Sequence, residues 1–135
     1  MRGIDFGLGV PLGLVVFYGL SLASAFWIAP IPNYYVWGLL LSAATCCLAG
    51  LALAVRPSIA LVATGTMLIL VIIGFATGSN IYLSVPPFPG ALPQLFFHGA
   101  RSAVVIGPLA LLATTATIRV VTHARARRVE PVESE

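Results

Sequence analysis

Charge is what this chain most conspicuously lacks. Only 8% of its 135 residues are Asp, Glu, Lys or Arg, against roughly 25% in a soluble domain. Lysine is absent, so all seven basic residues are arginine. No charged residue lies between Asp5 and Arg56, or between Arg56 and Arg101, which leaves no solvated stretch long enough for a water-soluble domain. The four acids, Asp5, Glu130, Glu133 and Glu135, are confined to the two ends. Paired carboxylates for acid and base chemistry are therefore missing from the middle of the chain, and no Ser-His-Asp, HExxH or phosphate-loop pattern can be drawn. Cysteine is limited to the neighbours Cys46 and Cys47. Adjacent helix positions point about 100° apart, so these two cannot form an ordinary bridge, and without a CxxC spacing or further soft ligands they are read as small packing residues. No metal, no cofactor and no catalytic residue is expected.

What fills the chain is hydrocarbon. Hydrophobic residues make up 59% of it and the mean hydropathy is +1.04, so a bilayer is its solvent. Four apolar runs approach the ~20 residues that a helix needs to cross a ~30 Å core: Gly9 to Ile28, Tyr35 to Val55, Ile59 to Ala76, and Ser102 to Val121. The fold class expected is all-α, a four-helix bundle within the membrane occupying residues 1–128, followed by a short disordered tail at 129–135. MRGIDFG, an apolar run and ASA at Ala23 to Ala25 have the layout of a signal peptide; we read the segment as a retained span. RPS, Arg56 to Ser58, makes the second and third spans antiparallel neighbours, with Pro57 near the start of a helix where its missing N–H costs nothing. Pro108, inside the fourth span, is expected to kink it.

Orientation follows from the arginines. With a cytoplasmic N-terminus and four spans, Arg2, Arg56, Arg119, Arg125, Arg127 and Arg128 lie inside and only Arg101 outside. Both termini are then cytoplasmic. The net charge of +3 is spread along the chain and flanks spans, so nucleic acid is not an expected partner. Arginine without lysine, together with abundant alanine, suits a G+C-rich bacterial genome, and the expected location is the bacterial plasma membrane.

Small residues mark where helices approach, because lipid supplies no hydrophobic force between spans. Gly9 and Gly13 form one GxxxG, Gly74 and Gly78 another, and Gly38 and Ser42 begin a small stripe on the second span that continues through Cys46, Ala49 and Gly50. The span hydroxyls, Thr64, Thr66, Thr114, Thr115 and Thr117, are either a solute track or, as is usual, bonded to their own helix.

The outer loop from Gly78 to Ala100 has no charged side chain, yet it carries four prolines and Tyr82, Phe88, Phe96 and Phe97. Prolines 86, 87, 89 and 93 argue against a regular helix through its middle. The aromatics suit the headgroup belt, where Tyr34, Tyr35 and Trp37 of the other external loop would join them. The loop is expected to act as a lid, an interfacial segment or a docking surface. His98 and Arg101 stand at its end. If His98 and His123 shared one helix they would be about 37 Å apart, which excludes one haem between them. Arg101 and Arg119 would sit about 27 Å apart on one face, each snorkelling to its own interface. Arg101 and His98 are therefore candidate contacts for a lipid headgroup or an acidic partner residue. The function these features suggest is a non-catalytic accessory or assembly subunit of a larger membrane complex, with the bilayer and other subunits as partners. The alternative is a small homo-oligomeric transporter or channel gated by the outer loop. The chain lacks the first-span glutamate of the small multidrug transporters and the CxxC of the quinone-linked thiol oxidoreductases.

Overall fold

Hydrocarbon offers no partner to a bare N–H or C=O, so a chain of this composition must satisfy its backbone within helices. The computed structural model describes residues 3–28, 33–76 and 92–129. These are almost entirely helical, with no strand among the described residues: α1 (Gly3–Ile28), α2 (Tyr34–Val55), α3 (Pro57–Ala76), α4 (Leu92–Arg101) and α5 (Ala103–Val129). Four of them, α1, α2, α3 and α5, are long and apolar enough to cross a membrane. Residues 77–91, with Gly78, Tyr82 and Phe88, and the tail 130–135 lie outside the described residues.

The helices depart from the expected spans at several boundaries. α1 starts at Gly3, six residues before the apolar run was placed, and takes Asp5 into its first turn. α3 starts at Pro57 itself; Arg56 is the one non-helical residue between α2 and α3, with extended dihedrals (φ −146°, ψ 95°). α5 continues as one helix through Pro108. Asn33 precedes α2 with φ 72°, a left-handed conformation that asparagine tolerates better than most residues.

The larger correction concerns the end of the outer loop: the helix that carries His98 and Arg101 is not continuous with the fourth span. Residues 92–101 form α4, and Pro93 lies in its first turn, where a proline leaves no intrahelical bond unmade. The chain then breaks at Ser102 before α5 begins. Arg101 and Arg119 therefore belong to different helices, as do His98 and His123, and rise-per-residue arithmetic across the break does not apply.

α1 is the hub, packing against α2, α3, α4 and α5. It meets α3 almost backbone to backbone. A methyl group on Gly9 would stand 2.6 Å from Val62 Cβ, and one on Gly13 only 2.6 Å from the carbonyl oxygen of Ala63 and 2.8 Å from Thr66 Cβ. Because Gly9 faces Ile59 and Val62 while Gly13 faces Ala63 and Thr66, the two helices run in the same direction. α2 runs the other way along α1, with Gly19 against Thr45, and Gly38 against Ala23 and Trp27. The core gathers Val16, Phe17 and Leu20 of α1, Met67 and Val71 of α3, and Val105 and Leu109 of α5. Phe17 is fully buried, its ring centroid 5.4 Å from Tyr18 and 5.8 Å from Phe96.

Gly65, by contrast, has no neighbour within 4 Å of the place a methyl would occupy. Gly13→Ala is expected to destabilise the protein by about 1–3 kcal/mol, as overpacking against backbone does. Gly65→Ala should leave stability unchanged or raise it by up to about 1 kcal/mol through helix propensity. Unfolding titrations in mixed detergent micelles measure both; equal effects at the two positions would remove Gly13 from the α1/α3 contact.

Candidate functional site

The described polar groups outside the helix ladders gather at two places. One is at the start of α1, where Asp5 Oδ1 lies 4.0 Å from Arg56 Nη1. Asp5 is only 7% exposed, so its role is more than the favourable helix-terminal charge expected from its position: packing carries its carboxylate to the α2/α3 turn, and the nearest cation follows it.

The other place is the junction of α1, α4 and α5. Gly99 of α4 lies directly on Ser21 of α1, with no room for a side chain between them, and Ala100 sits the same way on Gly74 of α3. This close approach brings His98 to α1, where its Nε2 is 3.0 Å from Ser24 Oγ. Ser24 Oγ is in turn 2.6 Å from Ser102 Oγ, and Ser102 Oγ accepts from the N–H of Val104 at 3.2 Å, capping the first turn of α5. Ser21 donates to the carbonyl of Phe17 at 2.7 Å. The helix break at Ser102 thus has a physical cause: its hydroxyl serves two elements at once.

Each hydroxyl oxygen donates once and accepts twice, so either serine can be the donor in the Ser24–Ser102 bond, and the role of His98 Nε2 follows the tautomer of its ring. Burial pushes the His98 imidazole below its ordinary value, and a hydrogen bond to the backbone of Ser24 opposes part of that shift. A serine within 3.0 Å of a histidine nitrogen has the spacing of a nucleophile and its base. Ser24, however, is 2% exposed and its oxygen already serves both neighbours, so no substrate atom can reach it. The arrangement is suited to tethering α4, not to attack.

Other residues singled out by the sequence are placed as follows. Arg101, the last residue of α4, is exposed and makes no hydrogen bond or ion pair with the described residues. Phe96 is half-buried against Phe17, while the Phe97 side chain lies outside the described set. Tyr34 meets Phe26 edge to face at 5.2 Å, and Tyr35 and Trp37 are exposed. Gly9, Gly13, Gly38 and Gly74 each lie against another helix. Ser42 bonds to Leu39 of its own helix at 2.9 Å. Cys46 and Cys47 are exposed thiols. Among the described residues no three of His, Cys, Asp and Glu stand together as metal ligands would. The threonines turn back on their own helices, Thr64 to Ala60, Thr66 to Val62, Thr114 to Ala110 and Thr117 to Ala113.

One further feature faces sideways. Between α1, α2 and α5 opens a cleft of about 210 Å³, floored by Val16 and Leu20 and edged by Cys46 and Gly50 on one side and Pro108 and Leu111 on the other. Sequence reasoning found neither this cleft nor the serines at 21, 24 and 102. Ser21 and Ser24, three apart on one face of an otherwise apolar helix, were the signal available for the second of these. Comparison of the chain with protein-family profiles, curated proteins and solved structures yields no match.

Ser24→Ala removes one partner each from His98 and Ser102 in a buried site and is expected to cost about 1–3 kcal/mol. Ser42→Ala, whose hydroxyl only bonds back along its own helix, should change stability by less than about 0.5 kcal/mol. Denaturation midpoints of the two variants, compared in one detergent, test whether the cluster holds α4 in place.

Proposed function

We propose that the protein is a non-catalytic subunit of a larger assembly in the bacterial plasma membrane, a four-span helical bundle that docks other membrane helices and does not itself transform or carry a substrate. The observation that carries this reading is an exposed row of small side chains on α5. Ala103, Gly107, Ala110, Thr114 and Thr117 recur at steps of four and three, and all are exposed. In lipid such a row is what allows another helix to approach closely. α2 presents a second row, Ala43, Cys47, Gly50 and Ala54, likewise exposed, and the cleft between the two helices supplies recesses for the partner's side chains. The inward turn of the threonine hydroxyls supports the same reading, since it leaves them serving backbone carbonyls in preference to a solute path.

In this proposal the termini are cytoplasmic and residues 1–128 form the membrane domain. The meeting of Asp5 with Arg56 supports it, as does the bond from Arg119 Nη1 to the carbonyl of Leu53 at 3.4 Å. Those contacts gather Arg56 and Arg119 near the start of α1, where the arginine bias puts the cytoplasm. Arg101 then stands on the outer face as the contact for a lipid headgroup or an acidic partner residue.

Mild-detergent purification followed by native mass spectrometry tests the proposal. The expected result is a stoichiometric second polypeptide that is lost in the Gly107→Leu/Ala110→Leu variant while its thermal midpoint stays within a few degrees of wild type. A chain found only as a monomer or homo-oligomer, with solute flux in proteoliposomes, would overturn the subunit reading in favour of a transporter.

A further inference from the structure

The cleft between α1, α2 and α5 has a charged end. On α2 the small residues Cys46, Ala49 and Gly50 leave a space that Leu111 and Leu112 of α5 do not fill. Thr115, at its edge, turns its hydroxyl back to the carbonyl of Leu111 at 2.7 Å, so the lining is hydrocarbon apart from the Cys46 thiol. Just past Gly50 and Thr115 the two helices close again, where Arg119 Nη1 meets the carbonyl of Leu53 at 3.4 Å. Arg119 lies four residues beyond Thr115, about 6 Å along α5, and at about 100° per residue it shares a face with Pro108, Leu112 and Thr115. One guanidinium therefore stands at the foot of one apolar cleft.

We propose that this composite is a binding site for an anionic phospholipid, with the phosphate on Arg119 and one acyl chain lying along the cleft toward Pro108. The lengths agree. Pro108 and Arg119 are eleven residues apart, about 16 Å of helix, and one leaflet supplies half of a ~30 Å core. The charges agree as well. Arg119 is exposed, and its long bond to Leu53 occupies one of the five N–H donors of a guanidinium, a group whose fork matches phosphate oxygens. Among the described residues no carboxylate lies within ion-pair distance of it, because the one acid there, Asp5, is 4.0 Å from Arg56 instead. Arg56 is exposed at the same end of the bundle, so a headgroup with net negative charge is favoured over one that carries its own cation.

The cleft itself selects for a hydrocarbon chain. It opens sideways, where its walls forgo dispersion contacts unless something apolar fills it, and it offers a polar solute neither donor nor acceptor. This inference goes beyond the subunit reading and does not depend on it. The small row on α5, Ala103, Gly107, Ala110, Thr114 and Thr117, lies at least about 120° around the helix from Arg119, so a lipid in the recess leaves that row to a protein partner.

Native mass spectrometry of the delipidated full chain, titrated with dioleoyl phosphatidylglycerol or dioleoyl phosphatidylcholine, tests the site with headgroup as the only variable. Wild type is expected to bind one phosphatidylglycerol about fivefold more tightly than phosphatidylcholine, the effect of one arginine near a lipid surface. Arg119→Gln should bring the two lipids within about twofold of each other, whereas Arg125→Gln, about 120° away on the same helix, should keep the preference. Cys46→Phe places a ring in the cleft from its exposed edge and should weaken both lipids alike; Thr115→Phe repeats the test from α5 if that chain does not fold. Equal affinities for the two lipids in wild type overturn the proposal, as does an Arg125→Gln chain that loses as much preference as Arg119→Gln. Excess inorganic phosphate that displaces the lipid would assign Arg119 to a free anion and overturn it too. If Cys46→Phe releases a copurifying polypeptide while lipid binding is intact, the cleft belongs to a partner helix: the lipid site fails and the subunit reading stands.

Discussion

The contact on which the rest of this structure depends is the one between the backbones of α1 and α3 at Gly13 and Ala63. In water a helix pair is driven together by the burial of apolar surface; in hydrocarbon that force is absent, and close packing of backbone and small side chains has to replace it. Glycines at positions 9 and 13 open a groove on α1 into which α3 settles, with 2.6 Å between the Ala63 oxygen and the place where a methyl on Gly13 would be. Once α1 is held there, Phe17, Leu20 and Val16 face inward and become the centre against which α2, α4 and α5 pack.

Polar chemistry is then pushed toward the helix ends. Near the start of α1 a buried carboxylate lies 4.0 Å from an exposed guanidinium. At its other end two hydroxyls, an imidazole and a backbone N–H are connected in one hydrogen-bond sequence that spans three helices. A neutral network needs no counter-ion, but it depends on each proton being in its place.

α2 and α5 are the least buried of the spanning helices, and their outward faces differ from lipid-facing surfaces made of Leu, Ile and Phe alone. α1 and α3 do present such residues, Ile4, Phe6, Ile69 and Ile72 among them. α2 and α5 instead interleave Leu39, Leu48 or Leu111 with glycine, alanine, threonine and cysteine. That contrast within one molecule links the packing of the chain to the role proposed for it, because small residues that contact nothing in their own fold still shape the surface a neighbouring helix would meet.

The apolar runs, read alone, were enough to specify the spanning helices, since each is too long and too free of charge to be solvated. The Arg56–Pro57 turn and the Gly9/Gly13 pair were equally legible, because a proline at a helix start and two glycines one turn apart act through local geometry. α4 was hidden by its prolines: three precede it, and the fourth falls in the first turn, where it is harmless. The break at Ser102 was hidden because a serine next to an arginine and ahead of an apolar run looks like ordinary helix. Most of all, the partners were out of reach. Ser24 and His98 are 74 residues apart and Ser24 and Ser102 are 78 apart, and nothing in the local pattern of either segment indicates the other. The sequence by itself determined which segments must be helical in lipid, as that follows from the solvation of each segment alone. Only the tertiary structure decided which hydroxyl meets the histidine and which cation meets Asp5, because those pairings depend on how the helices are brought together by the glycines of α1.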